Sequence, residues 1–361
     1  MLNSGSVDID FDPRNANLPS GAPVRVRGIL RTRLSAARLK LFGISPSEAE
    51  FSVRGFGPTS AARRDRLETV GRSFIAGYNA AIATGEGEAA LEQLRQFPEE
   101  LRGFVVEGTA MGLALLDLAT PWPRRGFAAF VAGPAQPYIY LAYVGAGWAL
   151  ARTSWRLRSR LGSIDPLLRW LIMDGYGFHS AYFQPRNAID RHRRPNLPRG
   201  YAARAFDQGL GRGLWFAMGA SGGAVCAAVE TFDPKRRPDL WSGVGLAASY
   251  AGGADAAELA DLAQRAAVFR PELAQGAAFA AAAHLRAGSI PGYTDSACKV
   301  LCGMDGGSAA AITVEVRPNP ASDSDGFHYE AWRSAIRAAI CDRPAERETR
   351  RPLGTIIGAA L

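Results

Sequence analysis

A glycine returns along this chain at a nearly constant interval. Gly71, Gly108, Gly145, Gly175, Gly209, Gly243 and Gly276 are separated by 37, 37, 30, 34, 34 and 33 residues. Read from each of the last six, the strings are GTAMGLA, GAGWALA, GYGFHSA, GLGRGLW, GVGLAAS and GAAFAAA. A period in the thirties marks helical hairpins that bury their apolar faces only by stacking on neighbours. In five of the six copies the residue four after the glycine is also small: Gly112, Ala149, Gly213, Ala247 and Ala280. Residues four apart share a helix face, and a small face lets two helix axes approach closely. Between copies, segments such as Ala256–Phe269 space their charges as on an exposed helix. Each unit therefore reads as one buried, small-faced helix and one outer amphipathic helix. Pro238-Asp239-Leu240 and Pro271-Glu272-Leu273 are good helix starts, with a fixed proline φ and an acid at the positive end of the dipole. One copy departs from the pattern. The plus-four residue of Gly175 is His179, so that helix either faces a cavity or opens its contact for the imidazole.

The expected fold is mainly α. About seven helical hairpins form a solenoid or an α/α toroid over residues 54–307. A basic N-terminal arm or cap, 1–53, precedes them, and an appendage and tail, 308–361, follow. In the appendage Ile312-Thr-Val-Glu-Val316 has the clearest strand pattern of the chain, and Phe327–Cys341 reads as a helix.

The net charge of +8 invites a nucleic-acid reading. Only Lys40, Lys235 and Lys299 among the 42 basic residues are lysine, and no nucleic-acid motif accompanies the arginines. Charge alone supports only weak, salt-sensitive association, so nucleic acid is not expected as a partner. Arg25, Arg27, Arg31, Arg33, Arg38 and Lys40 form an acid-free run that reads as a solvated arm or a cap on helix ends; docking to an anionic surface is the sharper alternative. Cys226, Cys298, Cys302 and Cys341 show no disulfide framework or metal spacing, which fits a reducing compartment. Residues 126–151 carry no charge, yet Pro134 and Pro137 interrupt them, and two buried helices fit better than a membrane span. The start of the chain has no signal-peptide pattern, so a cytoplasmic location with at most peripheral membrane contact is expected. Phe206–Phe216 is glycine-rich but matches neither the Walker nor the dinucleotide spacing. No cofactor and no metal are expected.

The candidate chemistry lies near the recurring glycines. Glu107, Asp174, His179, Asp207 and Arg212 would converge on one concave surface if the array curves. His179 would serve as general acid or base, with Asp174 or Glu107 orienting it or relaying the proton. Tyr143, Trp148, Tyr176, Trp215 and Trp241 would line an apolar pocket or stabilise a developing positive charge. The competing reading is that the acids cap helices or sit satisfied in the core. Asp207 and Arg212 are five apart, which disfavours a same-face ion pair. Gln184–Gly200 is long, basic and proline-containing, and reads either as a lid over an anionic group or as a solvated insertion.

Five ordered strings, Arg102–Met111, Tyr143–Leu150, Leu171–His179, Phe206–Arg212 and Asp239–Ala247, resemble the UnbL-type proteins of the family called domain of unknown function 1702. The likeness covers roughly residues 54–310. It implies a role beside enediyne polyketide and similar bacterial secondary-metabolism loci, in maturing a polyene or polyketide-like product. It implies no defined reaction and no catalytic residues. Two functions follow as expectations: a cofactor-independent cyclase or isomerase acting on a hydrophobic polyene-type molecule, or a non-catalytic scaffold or carrier that holds partner biosynthetic enzymes or a lipophilic intermediate. Convergence of the five polar residues in one pocket would favour the first, and scatter into caps and ion pairs the second.

Overall fold

The structure is a computed structural model. It describes residues 29–342 except 121, 123, 154–158, 160, 162, 163 and 196–199. The expected arm up to residue 28, the tail beyond 342 and Trp155 lie outside the described residues. Among the described residues every regular element is helical.

The chain begins with α1 (Ile29–Phe42), α2 (Phe51–Arg54), α3 (Ala61–Thr84), α4 (Gly87–Leu91) and α5 (Glu99–Ala119). It continues through α6 (Gly126–Ala132), α7 (Ile139–Arg152), α8 (Trp170–Phe183), α9 (Tyr201–Ala217) and α10 (Gly222–Glu230). It ends with α11 (Arg237–Tyr250), α12 (Ala256–Ala266), α13 (Arg270–Arg286), α14 (Gly292–Leu301), α15 (Gly306–Glu315) and α16 (Phe327–Cys341). Local chemistry sets many of these ends. Ser60, Asp255 and Asp305 accept backbone N–H groups at the starts of α3, α12 and α15, satisfying donors that the helix itself leaves free. α11 and α13 start on the two expected prolines. Asp117, buried in α5, accepts from the amides of Gly126 and Phe127 and so caps α6.

The helices α3, α5, α7, α8, α9, α11, α13 and α15 pack one on the next in chain order. The recurring glycines explain how closely. A Cβ at Gly108, Gly145, Gly175, Gly209, Gly243 or Gly276 would fall far inside 3.0 Å of a carbonyl oxygen on the preceding helix. In each case that oxygen belongs to the residue just before the preceding helix's own crossing position: Phe74, Glu107, Val144, Asp174, Gln208 and Ser242 respectively. Backbone meets backbone at these crossings, so weak Cα–H···O contacts and dense van der Waals packing replace side-chain interdigitation. Phe74 lies against Gly108 and Ala81 against Gly112, so positions advance together and α3 and α5 run parallel. The same holds for α8 and α9 through Asp174 with Gly209 and Ala181 with Gly213.

Two expectations are corrected. Gly71 is not the first crossing glycine. It packs on Ala49 and the Tyr182 hydroxyl, and Gly77 meets the Val105 carbonyl instead, so Ile75 occupies the crossing phase. Residues 311–317 are not a strand: 306–315 form α15, capped by Asp305 and packed on α13. Their β-branched residues pack along one helix, because α13 offers a helical surface and no strand edge is at hand.

The array also folds back on itself. Gly57 donates its amide to the Ala217 carbonyl at 2.8 Å, and Arg66 reaches the Ala251 carbonyl at 2.8 Å. Phe104 of α5 packs edge-on against Tyr250 of α11. On the other side α16 lies on α13, and Asp323 ties its start to α8 by accepting from Trp170 Nε1 and from the amides of His328 and Tyr329. These returns place α5, α8 and α9 around one interior. Residues 126–152 form α6 and α7 joined by a turn, and no helix among the described residues is long and apolar enough to cross a membrane. Cys226, Cys298 and Cys302 are buried and Cys341 is exposed.

Candidate functional site

Glu107 precedes the crossing glycine of α5, and Asp174 precedes that of α8. Arg212 follows the crossing glycine of α9 by about one turn. Because α8 and α9 nearly touch, Arg212 reaches back to Asp174, with Nη1 2.5 Å from Oδ1. Its Nη2 lies 3.8 Å from Glu107 Oε2, on a helix far away in sequence. The guanidinium also covers the Phe178 ring, 4.6 Å from its centroid. All three ionisable groups are buried.

This cluster holds two carboxyl groups for one guanidinium, and it is poorly hydrogen-bonded. Neither Glu107 oxygen, nor Asp174 Oδ2, nor Arg212 Nε has a partner. The Gln208 side chain, one residue before the α9 crossing glycine, makes no full hydrogen bond but comes near enough to Asp174 and Tyr329 to favour their ionised forms. The Trp148 indole N–H comes near enough to favour the Glu107 carboxylate electrostatically without reaching a hydrogen bond. Burial dominates here, since a charged form that loses water without gaining partners is disfavoured. It pushes the Glu107 carboxyl up to about 7; Arg212 opposes the shift and Asp174 adds to it. Asp174 is also raised by burial, against the pull of Arg212. Burial alone would lower Arg212, but Asp174 and Glu107 together outweigh it and hold it charged. Glu107 thus exchanges its proton near neutral pH, the range in which a general acid or base is useful.

Apolar space flanks the cluster. A cavity of about 20 Å³ lies between Glu107, Phe74, Trp148, Phe178, Tyr182 and Phe183. Another of about 40 Å³ lies beside Arg212, walled by Leu171, Tyr250, Phe279, Tyr329 and Trp332. Beyond Phe183 a cleft of about 480 Å³ runs between Ser45, Glu48, Arg152, His179 and Gln184, and Phe183 is common to it and to the cavity at Glu107.

Of the five expected polar residues, Glu107, Asp174 and Arg212 come together. His179 does not bond to either acid. It is five residues from Asp174, which places it on the opposite side of α8, toward the cleft. The expected relay from His179 to these acids is therefore not formed. Its ring meets Trp148 edge-on at 5.6 Å and lies 4.9 Å from Phe183, and Nδ1 has no partner. Burial, with a contribution from Arg152, lowers it to about 3, so it is neutral at physiological pH. Asp207 turns away from Arg212 for the same geometric reason. It is clamped by Arg194 and by Arg236, whose Nη2 and Nε stand 2.7 and 3.0 Å from its oxygens, and so pins the loop after α8.

The five aromatic candidates do not share a pocket. Trp148 alone walls the cavity at Glu107. Tyr143 accepts from the Asp165 amide at 3.0 Å, and Trp215 donates to the Gly252 carbonyl at 2.9 Å. Tyr176 is half-buried against Phe206, and Trp241 is buried.

A second buried network went unpredicted. Arg333 of α16, fully buried, donates to Asp239 at 2.7 Å and to Glu330, Tyr201 and Gln275 at 3.1 Å. Asp239 also takes both ends of Arg204, at 3.0 and 3.1 Å. Burial alone would raise Glu330, but Arg333, Arg337 and Arg204 hold it down at about 2. Ser242 donates to Gln275 at 2.8 Å. A signal for part of this lay in the repeat. The residue just before the crossing glycine is polar in five copies, Glu107, Asp174, Gln208, Ser242 and Gln275, and all five are buried.

Among the described residues no group of three or more potential metal ligands gathers. The family described as a protein of unknown function (DUF1702) matches residues 33–340. No curated protein and no solved structure matches the chain.

Proposed function

We propose that this chain, which belongs to the DUF1702 family, acts in bacterial secondary metabolism of the enediyne or polyene type, in the cytoplasm, by moving a proton on a hydrophobic polyene-like molecule. The observation that carries this reading is Glu107: a carboxyl near neutral pKa, without hydrogen-bond partners, facing an aromatic cavity and backed by an arginine. Protonated Glu107 donates to one end of a conjugated system. The resulting cation lies against the Trp148 and Phe178 faces. Loss of a proton from a neighbouring carbon to the Glu107 carboxylate restores the acid and leaves a shifted double bond or a closed ring. Arg212 and Asp174 set the charge balance of the acid and need not touch the substrate. In this reading the crossings form one helical-hairpin repeat whose curvature brings the three groups together.

A second reading, a scaffold for partner enzymes or a carrier that holds a lipophilic intermediate in the outer cleft, draws on the small size of the inner cavities. At about 20 and 40 Å³ they are far below the ~150 Å³ void that holds a benzene. The enzyme reading therefore requires Phe183 to swing so that the cleft joins the cavity. Incubation with a hydrophobic extract containing polyenes, followed by mass spectrometry of extract and protein, separates the two. New product masses that disappear in Glu107→Gln are expected. An unchanged extract with a lipophilic molecule retained on the protein would replace the enzyme by the carrier.

A further inference from the structure

The cleft beyond Phe183 differs from both cavities in having a charged rim. Arg152, the last residue of α7, is exposed on it and makes no ion pair with a described acid. Glu48, the acid on the same cleft, is already engaged by Arg54. His179 lies at the floor, buried and neutral, with Nδ1 unpartnered. The inner wall is Phe183, with Trp148 and Tyr182 behind it. Passing inward, the surface thus changes from an exposed guanidinium, through a neutral polar ring, to a closed aromatic lining. At about 480 Å³ the cleft is within the size range of small-molecule sites.

We infer that the cleft receives an amphipathic ligand, an apolar chain carrying an anionic head such as a carboxylate. The head rests on Arg152, and the chain runs past His179 and Phe183 toward Glu107. The gradient decides the direction of entry, because the Arg54 guanidinium over the Phe183 ring is already engaged by Glu48, so a desolvated anion there would exchange its water for a neutralised pair, whereas at Arg152 it keeps both water and a counter-charge. This inference rests on the proposed function and names the substrate class of that site.

The test uses the full chain with three probes of one chain length, dodecanoate, dodecanol and dodecylamine, each below its micelle threshold. Binding is read by calorimetry and by quenching of tryptophan fluorescence. Dodecanoate is expected to bind about fivefold more tightly than dodecanol, the size of one solvent-exposed charge pair. The advantage should fade at high salt. Arg152→Gln should remove it while leaving dodecanol binding unchanged, and Arg152→Lys should keep most of it. Equal binding of all three probes, preference for the amine, or an unchanged dodecanoate affinity in Arg152→Gln would overturn the head-group assignment and leave the proposed function standing. No binding of any probe to the wild-type chain would overturn both.

Discussion

Two buried arginines in this protein do opposite things. Arg333 donates to four acceptors, which leaves Glu330 low and Asp239 doubly paired. Arg212 donates to one, Asp174 Oδ1, and leaves both Glu107 oxygens and Asp174 Oδ2 without a hydrogen bond. Both lie in the same helical array, and both are as buried as any leucine. A buried polar group without a partner costs roughly 1–3 kcal/mol. Around Arg333 both carboxylates are fully paired and Arg333 Nη2 and Gln275 Nε2 are left over, which is compatible with a structural role, whereas an unpaired buried carboxyl such as Glu107 is not explained by stability. The difference is one of closure. Arg333 projects from α16, which arrives last and covers α13, so the chain could build partners around it. Arg212 stands where three glycine crossings bring backbones together, and the space left beside it is lined chiefly by aromatic and aliphatic side chains that cannot satisfy the acids.

This contrast makes sharp predictions. The largest effect belongs to Arg333→Met, which takes one buried partner each from Asp239, Glu330, Tyr201 and Gln275, although Arg204 and Arg337 remain on the two acids, and should cost ~3 kcal/mol in urea denaturation. Arg212→Met should cost clearly less, because Glu107 escapes by keeping its proton; equal losses would erase the distinction between the two networks.

Glu107→Gln comes next, and its sign depends on pH. The folded carboxyl titrates near 7 rather than near its ordinary 4.5. Its stabilising protonated form is fully present below the unfolded pKa and is lost as pH rises through 7. Between pH 4 and 8 the variant should therefore gain ~3 kcal/mol relative to wild type, read from denaturation midpoints at each pH. A parallel pair of curves would mean that the Glu107 carboxyl titrates alike in the folded and the unfolded chain.

The smallest effect is that of His179→Phe, with the opposite slope. A folded pKa of about 3 against an ordinary 6.5 means stability present above 6.5 and lost as pH falls toward 3. Replacing the imidazole should leave stability at pH 7 within about 1 kcal/mol and raise it relative to wild type by ~2 kcal/mol at pH 5. Equal pH profiles would show that the ring is already solvated and charged in the cleft.

Much of the architecture could be read without coordinates. The starts of α11 and α13, the bounds of α16, the split of residues 126–152 into two helices, and six of the close crossings all rest on local chemistry: a proline that sets φ, a capping side chain, a glycine with no Cβ. Local spacing also carried the phase just before each glycine, where Gln208, Ser242 and Gln275 wait with Glu107 and Asp174. It failed where the context is not local. Ile75 stands in a crossing phase that glycine fills elsewhere, so Gly71 was the wrong anchor. Residues 312–316 have strand-like side chains but pack on α13 as a helix.

What the sequence alone determined is thus the helices and the places where their backbones touch, since both depend on residues within a few turns of each other. The tertiary structure decided which charges meet. Glu107 and Arg212 lie on α5 and α9, and Arg333 reaches Asp239 from α16. Such pairings depend on the accumulated angle of several crossings, and no spacing along the chain encodes that angle. Local helix phase, five residues in each case, turned Asp207 away from Arg212 and His179 away from Asp174; the tertiary structure decided what they meet instead, Arg194 and Arg236 for the one and the cleft for the other.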